Sequence, residues 1–510
     1  MCQLQASSHP VCFIWAHLGS TRSPSRWVGI RTGAFNPMFI KKSLLAVGLS
    51  AAAAFTASLS WPVSALAQEV KPKAQTLFTN VNIFDGKSDK LAEGMSVLVE
   101  GNLIKKVAKG DIKADGAKVI DGGGRTLMPG LINSHAHLNI TGGLGTSYGA
   151  MQSAKWTQIG AQAAANAYDQ LLDGFTTVRD LGGMDNGLQL LIDKGILPGP
   201  RLYVSAAAIG PSSGHSDARD PASRTPGAPP TFLERMGIVE IADSPDEVRA
   251  ASRRNFANGA HFLKLMAGGG VSSTLDPLYS HAYTQAELEA AVEAAEFFDT
   301  YVTVHVYTDR GVKSALDAGV KVMEHGNLVS EETVQHIKEE SIFWVLNLSG
   351  LSPSLFSHPN FAPGTPSGKK VAIAHKGSKN LKAYVKKYKP KIVFAIDTVL
   401  STMEQGRSNR DFEKWIHADW FGNHAMLVAA TSTAGELAQL TGQRNPYPDG
   451  KLGVIEPGAY ADILVVDGNP LEDLTVLGAH DKYLDAEPRE AGIETIRVIM
   501  KDGKVYKNTL

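Results

Sequence analysis

Cysteine is almost missing from this chain of 510 residues: there are two, Cys2 and Cys12, both close to the N-terminus. Beyond them the chain has no disulfide, no thiolate ligand and no cysteine nucleophile, so any metal must be held by nitrogen and oxygen. An excess of charge of either sign is also lacking. The net charge is −1, which gives no electrostatic case for a nucleic-acid partner. Long apolar runs are confined to Leu44–Leu59 near the N-terminus, and no other segment is apolar enough to span a membrane.

That apolar run belongs to an address. Met38-Phe39-Ile40-Lys41-Lys42 is short and basic, the stretch from Leu44 to Leu59 is Ala-rich, and Ala65-Leu66-Ala67 fits a small-x-small cleavage site. Residues 38–67 are therefore expected to be a secretory signal peptide cut after Ala67, which places the product in the periplasm or outside the cell. An uncleaved membrane anchor is the alternative; once the signal is cut, no stable membrane span is expected. Residues 1–37 match nothing in that signal and are expected to be an upstream extension, with Met38 the initiator.

Residues 68–125 and 450–510 share a texture of short alternating strands with Asn and Gly turns. Leu77–Phe84 ends at Asp85-Gly86, and Ile496–Tyr506 reads as a hairpin about Asp502-Gly503. The two segments predict one small discontinuous β-sandwich domain built from both ends of the chain. Between them, residues 126–449 alternate strands and helices. Eight strands are predicted, at 126–134, 174–180, 201–208, 260–266, 301–306, 320–325, 342–348 and 391–397. Ser244-Pro245-Asp246-Glu247 and Thr284-Gln285-Ala286-Glu287 are helix-opening signatures. The expected fold class is thus α/β, a (β/α)8 TIM barrel carrying the discontinuous β-sandwich domain. Loops 209–231, 272–283 and 349–370 follow strands and would sit at the catalytic face, where specificity is set.

The strand ends carry the chemistry. The first strand delivers Ser134-His135-Ala136-His137, two imidazoles two residues apart and hence on one face. The fourth holds Lys264 between apolar neighbours, the fifth ends at His305, the sixth at His325 and the eighth at Asp397. In a barrel these groups converge on one pocket. Imidazoles suit zinc and similar divalent ions. Asp397 can ligate an ion and take a proton from water. Burial would lower the pKa of Lys264 and free an amine that can form a carbamate, an oxygen ligand. His215, in Ser212-Ser213-Gly214-His215-Ser216, is either a solvated loop residue or a substrate contact. Tyr307 and Tyr279 either meet a substrate carboxylate or pack. His261, His336 and His375 are read as structural, and the Lys-rich run 376–391 as a solvated helix face.

With these residues in place, about residues 75–505 resemble the metal-dependent amidohydrolase superfamily. The His-x-His strand carries the resemblance, as does the closing segment from Leu452-Gly453-Val454-Ile455-Glu456-Pro457-Gly458 to Asp467-Gly468-Asn469-Pro470-Leu471. The branch it resembles is that of Xaa-Pro dipeptidases, imidazolonepropionases and ochratoxin-hydrolysing amidohydrolases. The resemblance implies two divalent metal ions, zinc by expectation. His135, His137 and Asp397 would hold one and His305 and His325 the other, with carboxylated Lys264 as the bridge. It implies a metal-activated water attacking the amide bond to an amino acid in a dipeptide, N-acyl amino acid or ochratoxin-like molecule. Asp397 would move the proton, and His215 would face the scissile group. A homo-oligomer is expected. The departures lie beside the ligands: Val306-Tyr307 and Thr398-Val399-Leu400 stand where relatives often carry small or Gly-rich residues. The rival readings are cyclic-amide hydrolysis, a mononuclear deamination that needs no Lys264, and a non-catalytic periplasmic binding protein.

Overall fold

Alternating apolar residues build the first five strands: Gln75–Ile83 (β1), Ala92–Glu100 (β2), Leu103–Lys109 (β3), Lys118–Asp121 (β4) and Thr126–Pro129 (β5). In β1 the inward positions Phe78, Val81 and Ile83 are buried. The computed structural model describes residues 73–141, 153–273 and 275–510, all within the unit Lys71–Leu510. The expected upstream extension and signal peptide lie outside the described residues. Among the described residues no helix is long and apolar enough to cross a membrane.

The chain passes from β5 into the middle part at Gly130. A Cβ there would lie 2.0 Å from Thr176 Oγ1, so only glycine lets the two segments approach. The predicted strand 126–134 is therefore two strands: β5 stays with the terminal sheet, and β6 (Leu131–Ala136) opens the α/β part.

The middle part holds β7 (Phe175–Asp180), β8 (Arg201–Val204), β9 (Ala208–Gly210), β10 (Val239–Ile241), β11 (Leu263–Met266), β12 (Val302–Thr308), β13 (Val322–Leu328), β14 (Phe343–Leu346) and β15 (Lys391–Phe394). They pair in parallel as two sheets, β6-β7-β8 and β10-β9-β11-β12-β13-β14-β15. The predicted strand 201–208 breaks where Ala206 takes a left-handed backbone, φ 57°, and β9 joins the second sheet. The sheets are linked at both edges. His261 N donates to Val204 O at 2.8 Å, and Val204 N donates back to His261 Nδ1 at 2.9 Å. At the other edge Asp397 N donates to His135 O at 2.9 Å. Helices lie between the strands. Pro245–Ala257 begins with Ser244 Oγ accepting from Glu247 N, and Gln285–Glu296 with Glu287 accepting from Thr284 N.

Ile463–Val466 (β16), Ile496–Lys501 (β17) and Lys504–Asn508 (β18) then return to the terminal sheet, whose order is β18-β17-β16-β5-β1-β2-β3 with β4 beside β1. Asp502 and Gly503 both have positive φ, 56° and 71°, the signature of the tight hairpin turn their sequence predicts. Phe78, Val97 and Val99 from one chain end share a core with Ile463, Val465 and Val498 from the other. Each fully buried side chain of this kind contributes roughly 1.5–3 kcal/mol. Strands from both ends of the chain thus share one continuous hydrogen-bonded sheet.

Candidate active site

His135 lies on β6 and His137 just beyond it, with their Nε2 atoms 3.3 Å apart. Asp397, immediately after β15, places Oδ1 at 3.4 Å from His135 Nε2 and 3.5 Å from His137 Nε2. One ligand atom from each of the three lies within 4.8 Å of the others, a span one metal ion can bridge. Asp397 reaches this position through a left-handed backbone, φ 53°, which Asp tolerates better than most residues.

His305 and His325 meet a short distance away. By register His305 pairs with Glu324 and Val306 with His325, so simple alternation would turn His325 away from His305. His325 breaks the alternation with φ 65°, and Gly326 follows with φ 66°. The His325 ring then lies with Nε2 2.9 Å from His305 Nδ1. The outer nitrogens fix the tautomers. His325 Nδ1 lies 2.8 Å from Asn347 Oδ1, and His305 Nε2 lies 3.3 Å from Gly269 O, and both partners can only accept. Nδ1–H of His325 and Nε2–H of His305 therefore donate outward, and two lone pairs face each other across 2.9 Å. Two facing acceptors are an arrangement that a shared cation would satisfy. Burial holds His135, His305 and His325 below their usual range, so all three are neutral and able to ligate a metal.

Lys264 on β11 is fully buried, and its Nζ has no hydrogen-bond partner among the described residues. Burial, opposed by Glu324 and Asp397, brings its amine down to about 8. A buried amine with no partner and a lowered pKa suits the carbamate chemistry read from the sequence. At Asp397 the His137 hydrogen bond and the neighbouring rings outweigh burial and hold the carboxyl well below the usual range, which keeps it available as a ligand or proton acceptor.

The supporting residues were not singled out in the sequence. Glu324 accepts from His135 Nδ1 at 2.9 Å, from Arg179 Nη1 at 2.9 Å and from Thr303 Oγ1 at 2.5 Å. Arg179 also donates to Ser134 O, so it ties β7 to the His-x-His strand. Asp180 accepts from Leu138 N at 2.7 Å and from Gly182 N, and burial raises its carboxyl to about 6. A Glu next to a strand-end His inside an apolar strand was a usable signal. Asn347 and Tyr483 gave none, because each becomes meaningful only through its fold partner.

All six predicted ligands, with His215 and Tyr307, line one cavity of about 100 Å³. Met266, Leu355, Phe361, Val399 and Tyr483 supply apolar wall. His215 stacks on His305 with ring centres 4.2 Å apart, and its Nδ1 lies 2.9 Å from Ser273 Oγ and 3.3 Å from Asp276 Oδ2. Burial would raise Asp276, but its hydrogen bond to His215 prevails and holds it at about 2. Tyr307 is buried and stacks on His325 at 4.9 Å. Tyr279 is 77% exposed and does not line this cavity, so the structure does not bring it to the site.

The Amidohydrolase family profile matches residues 126–434, and the chain belongs to that family. It is similar to ochratoxinase of Aspergillus niger, 29% identical over 391 residues that cover 75% of each chain. Among solved structures it is similar to a prolidase complexed with N-methylphosphonate-L-proline (29% identity, TM-score 0.73, 86% of this chain and 100% of that one). It is also similar to a Xaa-Pro dipeptidase with methionine in its active site (26% identity, TM-score 0.69, 85% and 100%). The chain is a hydrolase acting on carbon–nitrogen bonds.

Proposed function

We propose that this chain is an exported, binuclear-metal amidohydrolase that cleaves the amide bond to an amino acid in a dipeptide, N-acyl amino acid or ochratoxin-like substrate. Its two parallel sheets would form one (β/α)8 barrel, with the edge bonds at Val204–His261 and His135–Asp397 as its seams. The observation that carries the reading is the paired donor set. His135, His137 and Asp397 would hold one metal, His305 and His325 the other, and carboxylated Lys264 would bridge them. The ions, zinc by donor type, would polarise a carbonyl and acidify water when bound.

The chain's own residues then have defined tasks. Asp397, kept ionised, takes a proton from the attacking water. As the C–N bond breaks, Asp397 passes that proton to the leaving nitrogen, and the water oxygen stays on the carbonyl carbon. His215 is held through Nδ1 by Ser273 and Asp276, which leaves Nε2 to steady the carbonyl oxygen as charge builds. His215 and Tyr307 are the donors best placed for a substrate carboxylate. Lys264 favours this reading over a mononuclear deamination, where a buried, unpartnered amine would have no role. Export rests on the sequence of residues 38–67, and N-terminal sequencing of secreted protein tests it.

A panel of N-acyl amino acids and dipeptides, each as free acid and as amide, tests the substrate class. Cleavage with the free acids preferred severalfold is expected, because the amide leaves a buried donor without its charged partner. Equal rates on acid and amide would shift the reading to cyclic-amide hydrolysis, as in imidazolonepropionases.

A further inference from the structure

A second cavity of about 90 Å³ adjoins the first. His137, His215, Met266, Ser272 and Val399 wall both. The remaining lining is almost wholly apolar, with Ile140, Leu233, Ile238, Val239 and Leu400 prominent and no Asp, Glu, Lys or Arg among the described residues. Leu233 and Ile238 form a small core of their own, and Ile140 and Val239 pack against it. One polar side chain lies behind this surface. Ser216 is 8% exposed, and its Oγ has no hydrogen-bond partner among the described residues. Gly210 on β9 makes room for that hydroxyl, since a Cβ there would lie 2.1 Å from Ser216 Oγ. That hydroxyl is therefore packed against the β9 backbone, and it leaves the cavity surface itself apolar.

We propose that this second cavity is a subsite for one arm of the scissile amide. The arm is a branched aliphatic or single-ring aromatic side chain. The inference rests on the amide-hydrolase reading above. Five wall residues are common to both cavities, and two of them, His137 and His215, stand at the reacting centre. A group held in the second cavity is therefore adjacent to a carbonyl held in the first. A charged arm would be desolvated there with no partner, which disfavours it. The apolar lining suits one uncharged side chain.

The test is kcat/KM for wild type, Val239→Phe and Leu233→Ala across two substrate series. One series varies the acyl arm and the other the amine arm, each through Gly, Ala, Val, Leu, Phe, Lys and Glu. On one side only, wild type should gain about tenfold or more from Gly to Leu or Phe and lose that gain with Lys and Glu. Val239→Phe should abolish the gain and leave the Gly substrate within about twofold. Leu233→Ala should move the preference towards the larger arm and carries the test alone if Val239→Phe fails to fold by thermal melting. No dependence on either arm, or equal losses on every substrate in the variants, would overturn the subsite and leave amide hydrolysis standing. Cleavage of no member of either series would overturn the amide reading and the subsite with it.

Discussion

Glu324 accepts a hydrogen bond from His135 Nδ1 at 2.9 Å, fully buried between the two parallel sheets and out of contact with water. This fixes the imidazole with its Nε2 lone pair towards Asp397 and raises its basicity. Glu324→Gln keeps the shape but removes the charge. Metal affinity should fall by about 10–100-fold, as for other residues that orient metal-ligating histidines. Competition with a chromophoric chelator measures it, and unchanged affinity would remove Glu324 from that role.

Lys264→Ala should lose one ion of the pair and most of the turnover, because the proposed bridge is the carbamate on its buried amine. A short carboxylic acid added in bicarbonate-free buffer should restore part of both. Two retained ions with normal turnover would remove the carbamate.

Asp397→Asn keeps an oxygen ligand but removes the proton acceptor. The kcat at neutral pH should drop by about 10²–10⁴-fold, with metal partly retained. Steady-state kinetics on a cleaved N-acyl amino acid, read beside metal content, separates the two effects.

Glu413 gives a pH signature. It lies fully buried on helix Met403–Phe421 and accepts from the backbone N–H groups of Leu348 and Ser349, next to Asn347. Burial, only partly offset by those bonds, raises its carboxyl from an ordinary 4.5 to about 8. A carboxyl raised on folding contributes stability that is complete below its unfolded value and lost as pH climbs through its folded one. The Tm of wild type relative to Glu413→Gln should therefore decline between about pH 4.5 and 8. Parallel Tm curves would show that Glu413 does not titrate in that window. Glu413→Ala should also loosen the Asn347–Gly350 wall and raise KM.

The clustering of the candidate ligands was legible because each sits at the end of an apolar strand, where residue type and position are both visible in the sequence. His135, Lys264, His305 and Asp397 needed only strand order. His325 was found for an incomplete reason: alternation alone points it away from His305, and its left-handed backbone turns it back. The split of strand 126–134 at Gly130 was not legible, since what demands glycine there is Thr176, a neighbour distant in sequence. Tyr483 was hidden for a related reason. It reaches the cavity from the segment between β16 and β17, near Arg489, which is paired with Asp173 and Asp411. Loop 209–231 could be placed at the catalytic face but not folded, because its buried hydroxyl and apolar wall depend on contacts that no local pattern encodes.

The most direct measurement is the metal content of the purified, active enzyme, by elemental analysis per chain, before and after chelation. Two divalent ions per chain are expected, with hydrolysis lost on their removal and regained on their return. Full activity in a metal-free chain, or with a single ion, would contradict the binuclear site.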